Sequence, residues 1–375
     1  AVHPIHSEVV ACVVGRAESL CALAVIGAII LLLGRLTTGR AVAIWLLAVI
    51  SLLSKEHALI LPLLLGLVVV FAGIEGERRA GLLLAMLILW TWAGYIVFRE
   101  SILKFWWDRS MLDWIVQPLI RAEGADRWLL PLAILGRYAL LLVWPARLSI
   151  DYGVAVIEPA VSWTEPFLYL GALAAAGWLG LTIWAFLRRR REMLLALVAL
   201  ALSYGLIANV LTLIGAAMGE RLIYLPSVFF LILVGFWLAH GRRIGFGLAL
   251  VAIALGSWRT FTYVARFDDR LAFYEYSAAV QPRSLKIRLL LASELKQRGE
   301  LDRAAEVASG ARELVPSASE AWLQSAVIAL ARNRFDEADE FFAEAIRLSP
   351  NPTKAALMSQ EVEAARAAWR PATAP

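Results

Sequence analysis

Cysteine is nearly absent from this chain. Cys12 and Cys21 are the only two among 375 residues, with no CxxC and no Cys/His cluster around them. Neither a disulfide framework nor a structural zinc site is therefore indicated. Histidine is scarce as well. The one close pair, His3 and His6, has a proline between its members and no clear third ligand, so no metal is expected. GxSxG, the phosphate-cradling Walker loop and HExxH are all missing, which leaves serine-hydrolase, ATPase and zinc-peptidase readings without their chemistry. Charged residues make up only 18% of the chain, and its formal net charge of +5 is unevenly placed. From Arg283 onward 13 basic residues face 13 acidic ones, so the whole excess lies upstream. There it sits in short loops, at Arg35 and Arg40, Arg78 and Arg79, Arg188–Arg191, and Arg242 and Arg243. That is the pattern of positive-inside membrane topology. No aromatic-basic module accompanies it, so no nucleic-acid partner is expected.

What is abundant is apolar. Hydrophobic residues make up 61% of the sequence, with 15 tryptophans and a mean hydropathy of +0.70. Runs of near-spanning length account for this: Ser19–Gly34, Ala41–Ser54, Ala58–Ile74, Ala80–Phe98, Pro166–Leu187, Met193–Gly219, Leu222–Ala239 and Ile244–Trp258. A lipid bilayer is thus the first partner. Trp128–Ala146, bracketed by prolines and split by Arg137, is expected to be re-entrant or interfacial. Ile102–Ile120 is expected to lie flat on a leaflet with its Trp, Leu and Ile in lipid. With the basic loops cytoplasmic, the intervening polar segments fall on the opposite side.

The texture changes near residue 265. Pro282, Pro316 and Pro350 are 34 apart, and at the same offset Gly299 matches Asn333, Ala304 matches Ala338, Ala311 matches Ala345 and Leu314 matches Leu348. Thirty-four residues is the tetratricopeptide period. The expected organisation is all-α: a polytopic membrane helical bundle over 1–265, then an extramembrane tetratricopeptide solenoid over 266–375. The solenoid divides into a capping helix at 271–282, repeats at about 285–318 and 319–352, and a partial repeat at 353–370.

Polar residues gather in four short stretches at span ends. These are His3, His6, Glu8, Arg16 and Glu18; Lys55, Glu56 and His57; Arg147 with Asp151 and Tyr152; and Glu220, Arg221 and Tyr224. A charged side chain at the bilayer centre is worth roughly 2.5–3.5 kcal/mol of destabilisation, so such groups pair, snorkel or line a polar cavity. Two readings stand side by side. Lys55–Glu56, Glu220–Arg221 and Arg16–Glu18 are self-neutralising neighbours that cap helices, or the cations bind a phosphate while the acids activate a nucleophile.

The strings HPIHSEVVACVVGRAESLCAL, LLSKEHALILPLLL, RYALLLVWPARLSIDYG and GERLIYLPSVFFLI, followed by the repeats, resemble the transmembrane and tetratricopeptide-repeat (TMTC) family. The resemblance runs over nearly the whole chain in the family's order. It implies a GT-C-type glycosyltransferase fold and protein O-mannosylation. A sugar, expected to be mannose, would pass from a polyprenyl- or dolichyl-phosphate donor to Ser or Thr hydroxyls on the non-cytoplasmic side. The compartment would be the periplasmic face of a bacterial inner membrane or the lumen of the endoplasmic reticulum. No cofactor beyond the lipid-linked donor is implied, and the repeats would present an acceptor or partner protein. Glu8 and Glu56 are the expected helpers in catalysis. His3, His6, Arg16, Glu18, Lys55, Asp151, Tyr152, Glu220, Arg221 and Tyr224 are expected at the donor phosphate and sugar. The family's acid lies in a first external loop, and this sequence opens after that region, so an N-terminal truncation is the expectation. The rival readings are a non-catalytic membrane-anchored repeat scaffold and a GT-C-like glycan ligase or polymerase.

Overall fold

The structure, a computed structural model, describes residues 2–71, 78–103 and 112–349, together with Ala356, Ser359, Gln360 and Glu363. It is helical, with no strand among the described residues. Two compact units emerge. The first comprises Ala1–Leu112, Ala122–Leu148 and Ala160–Val264; the second comprises Asp113–Arg121, Ser149–Pro159 and Ala265–Pro375. Composition alone draws a single cut at residue 265, whereas the second unit also takes in the two excursions 113–121 and 149–159.

The first unit opens with a short helix, α1 (Ser7–Ala11), and continues through α2 (Arg16–Leu32), α3 (Thr38–Ser54), α4 (Leu61–Phe71) and α5 (Arg78–Leu103). Then come α6 (Asp126–Val143), α7 (Pro166–Leu187), α8 (Arg191–Gly205), α9 (Tyr224–His240) and α10 (Arg242–Val264). Among the described residues, four helices are long and apolar enough to cross a membrane: Val13–Leu32, Arg78–Ile102, Pro166–Leu187 and Arg243–Asp268. Thr38–Ser54, Glu56–Phe71 and Tyr224–His240 are shorter apolar helices. The core is built from small and branched side chains of α2 to α5, among them Val25, Ala28, Ile44, Ala48, Leu64 and Ile88. Outward-facing Leu173, Leu179, Ile183, Leu250 and Ile253 remain exposed, the arrangement that lipid as solvent rewards.

Three expectations change here. Arg137 does not split its segment, because α6 is continuous from Asp126 to Val143. Its guanidinium is taken up by Glu165 at 3.3 Å and by the Phe167 ring at 4.2 Å. At that crossing Gly136 and Gly171 let the backbones of α6 and α7 touch, since a Cβ on Gly171 would lie 1.8 Å from Leu132 O. Met193–Gly219 is not one helix, since α8 stops at Gly205. The chain beyond is irregular and is knitted by Asn209, whose Oδ1 accepts from Ile214 N at 3.0 Å and whose Nδ2 donates to Ala217 O at 3.0 Å. Arg127 donates to Asn209 O at 2.8 Å. Satisfied this way, a non-helical backbone survives in an apolar setting.

The third change concerns Ile102–Ile120. Residues 104–111 lie outside the described ones, and Ile115 is buried in the second unit against Val154, Leu285, Ala311 and Val315 rather than in lipid. That unit holds α11 (Arg270–Val280), α12 (Leu285–Gln297), α13 (Leu301–Leu314), α14 (Ser319–Ala331) and α15 (Phe335–Arg347). Gly299 and Asn333, at equivalent positions, both take left-handed φ, +81° and +60°. Ala304, Ala338, Ala311 and Ala345 are all fully buried, which accounts for small residues at the matched positions. The expected partial repeat at 353–370 lies outside the described residues apart from four isolated positions.

Candidate functional site

One end of the first unit collects the polar residues: the starts of α2, α4 and α9 and the ends of α3, α5, α6 and α10. His3 caps the 3-10 turn Pro4–His6 there, its Nδ1 accepting from Ile5 N at 3.3 Å. That fixes the proton on Nε2, which donates to Leu142 O at 3.0 Å. His6 reaches across to α9. The Ser227 hydroxyl donates to Tyr224 O at 2.6 Å and therefore accepts from His6 Nε2, 2.8 Å away. His6 Nδ1 is left buried without a hydrogen-bond partner, and Tyr224 meets the ring edge-on at 4.9 Å. Burial pushes the His6 imidazole down to about 3, with His3 nearby adding to the effect, and burial lowers His3 as well. Both are neutral, hydrogen-bonded joints.

The acids and cations pair across the fold, not with their neighbours. Glu8 Oε2 accepts from Arg221 N at 3.0 Å and Oε1 from Arg221 Nη1 at 3.3 Å, so both its oxygens are committed. Glu56 Oε1 accepts from Arg99 Nη2 at 3.3 Å. Lys55 Nζ lies 3.0 Å from Glu18 Oε1. The ammonium sits off the hydrogen-bonding direction, so neither oxygen of Glu18 completes a hydrogen bond. The Glu18 side chain is only 2% exposed, whereas that of Lys55 is 32% exposed. A buried carboxylate balanced by a half-exposed ammonium holds that cation in place and leaves donors of it available to an anion. Glu220 is fully buried, beside Tyr138, whose hydroxyl donates to Gly219 O and accepts from Gly219 N, each at 3.0 Å. Arg16 is exposed and makes no hydrogen bond or ion pair with a described residue.

The four stretches therefore regroup. His6 and Glu8 join Tyr224 and Arg221, Glu18 joins Lys55, and Arg16 joins neither. Asp151 and Tyr152 belong to the second unit. There Asp151 Oδ2 accepts from the Ser284 hydroxyl at 2.7 Å and from Gly153 N at 3.1 Å, a structural duty, and Tyr152 is buried. Sequence reasoning placed Ser227 at the end of the fourth polar stretch without a role, and passed over Arg99 and Tyr138. Tyr138 sits inside a quoted string, and its polarity within an apolar run was the available signal.

The bend that delivers these groups depends on Gly15. After α1 the chain turns through Val13–Gly15 into α2, and a Cβ on Gly15 would lie 2.3 Å from Val9 O. At the opposite end of the helices lie Arg35, Arg40, Arg78, Arg79 and Arg188–Arg191. No protein-family model, curated protein or solved structure matches the chain.

Proposed function

We propose that the chain is a membrane glycosyltransferase that moves a sugar from a polyprenyl-phosphate donor to Ser or Thr hydroxyls of proteins on the non-cytoplasmic side. The observation that carries this reading is Lys55, half exposed and 3.0 Å from the buried Glu18 carboxylate. It is a cation held in advance where a phosphate can reach it. Supporting it are the family strings, which contain Glu8, Glu18, Lys55 and Arg221, and the segregation of basic loops to the far end of the bundle. The same bias directs the site end, and the second unit that follows α10 in the chain, away from the cytoplasm. Helix pairs recurring at 34 residues, from Leu285 to Ser319 and from Leu301 to Phe335, support a tetratricopeptide reading of that unit.

In this mechanism the acceptor oxygen attacks the anomeric carbon as the bond from that carbon to the phosphate oxygen breaks. The hydroxyl proton passes to a carboxylate, and the electron pair of the broken bond stays on the polyprenyl phosphate. Negative charge grows on the leaving phosphate, where Lys55, anchored by Glu18, and the unpaired Arg16 oppose it. Glu8 clamps Arg221 and so holds the start of α9. Glu56, 49% exposed, is the more accessible of the two expected catalytic carboxylates.

The test is transfer from a polyprenyl-phosphate sugar to a Ser/Thr peptide by the purified chain and by Lys55→Ala. Loss of one preorganised charge partner is expected to lower kcat by about 10²–10³-fold. Undiminished transfer in Lys55→Ala removes it from the mechanism. No transfer by a full-length protein that carries the first external loop, under conditions where it stays folded, favours the scaffold reading.

A further inference from the structure

The far end of α7 carries a second constellation. Trp184, Arg189, Arg190, Arg191, Phe236 and His240 line a cleft of about 330 Å³ between the end of α7, the start of α8 and the end of α9. Glu192 is the acid in its wall. α7 terminates in a tight turn: Arg190 N donates to Ala185 O at 2.8 Å and Arg189 N to Phe186 O at 3.1 Å. Arg189 sits at its apex with φ +53°, a left-handed position that glycine fills most easily. The side chains of Arg188 to Arg191 make no hydrogen bond or ion pair with any described residue. By contrast, Arg40 Nη1 is engaged by Arg35 O at 3.2 Å. His240 donates from Nδ1 to Phe236 O at 2.7 Å, which leaves Nε2 as the ring's open position.

We propose that this cleft binds the phosphate of an anionic membrane lipid. Three unpaired guanidiniums converge on one concave site, a stronger anion field than a solvated loop of like charges needs. The walls argue for a lipid rather than a soluble anion. Trp184 and Phe236 supply apolar and aromatic surface beside the arginines. α7 keeps its apolar side chains outward up to Phe186 and Leu187, so the cleft opens where acyl chains give way to headgroups. On the orientation proposed above this is the cytoplasmic leaflet, but the binding chemistry does not rest on the transferase reading.

The experiment is native mass spectrometry of the detergent-purified full chain with phosphatidylglycerol, with phosphatidylcholine and with inorganic phosphate. The parent chain is expected to retain phosphatidylglycerol over phosphatidylcholine. Arg189→Gly and Arg190→Gln are each expected to lower that retention by about fivefold, the effect of one basic residue at an anionic surface. Arg189→Gly places glycine at a left-handed position, so the thermal midpoint should hold or rise. Arg190→Gln alone reads the cleft without touching that turn. Equal retention of the two lipids, or undiminished phosphatidylglycerol retention in both variants, overturns the proposal. So does displacement of the lipid by equimolar inorganic phosphate, which would make the site one for a soluble anion.

Discussion

His6 shows what a single buried ring contributes. Its Nε2 holds Ser227 on α9 at 2.8 Å, and its other nitrogen lies buried with no acceptor to receive a second proton. Charging the ring in the folded chain is thus unfavourable, while the unfolded chain takes up the proton at the ordinary imidazole value. Between the ordinary imidazole value of 6.5 and the folded value of about 3, the unfolded state binds more protons than the folded one. The stability from this joint is therefore whole above 6.5 and is lost as the pH falls through that window. Thermal midpoints of the purified chain at neutral and mildly acid pH measure the effect. His6→Gln keeps a donor for Ser227 but cannot be charged, and it is expected to flatten most of the decline. The remainder belongs to His3, which is lowered for the same reason. An equally steep decline in His6→Gln would place the acid sensitivity elsewhere.

At the scale of elements, most helices are legible because apolar runs of spanning length have few alternatives in lipid. α3, α5 and α7 lie within a few residues of the runs that announce them. Legibility ends where composition stays apolar but the backbone leaves the helix, as after Gly205. What decides that segment is Asn209 and Arg127 satisfying its carbonyls and amides, and hydropathy carries no record of such bonds. The bend at Gly15 is of the same kind. In the sequence it is one glycine before a helix; in the fold it is the only residue type that fits against Val9, whose carbonyl oxygen would lie 2.3 Å from a Cβ. Gly15→Ala must shift α1 away from α2 and is expected to destabilise the chain by about 1–3 kcal/mol. Because α1 carries Glu8, the Glu8–Arg221 pair should loosen as well. Hydrogen exchange at Arg221 N, which donates to Glu8, measures both effects. Protection there equal to the parent's would mean that the bend is not fixed by Gly15.

Over the whole molecule, residue types at the candidate site were readable but their partners were not. Adjacent opposite charges suggest local neutralisation, yet Glu8 pairs with Arg221, 213 residues away, and Lys55 turns from Glu56 to Glu18. Pairing of that range is set by how helices pack, which no local pattern encodes. Asp151 makes the same point within the second unit. Its place in a polar string suggested a donor ligand, whereas its carboxylate accepts from Ser284, the cap of α12, and from Gly153 N. Asp151 thereby pins the excursion 149–159 to the start of the repeating helices. The two roles separate experimentally. If Asp151 is a pin, Asp151→Ala strands a buried hydroxyl and a buried amide, and amides of 149–159 should exchange faster by an amount equivalent to about 1–3 kcal/mol. Adding Asp151→Ala to Ser284→Ala should then cost less than it does alone, because the two act through one bond. If Asp151 instead binds donor, the variant should lower sugar transfer with exchange at 149–159 unchanged, and the pin is abandoned.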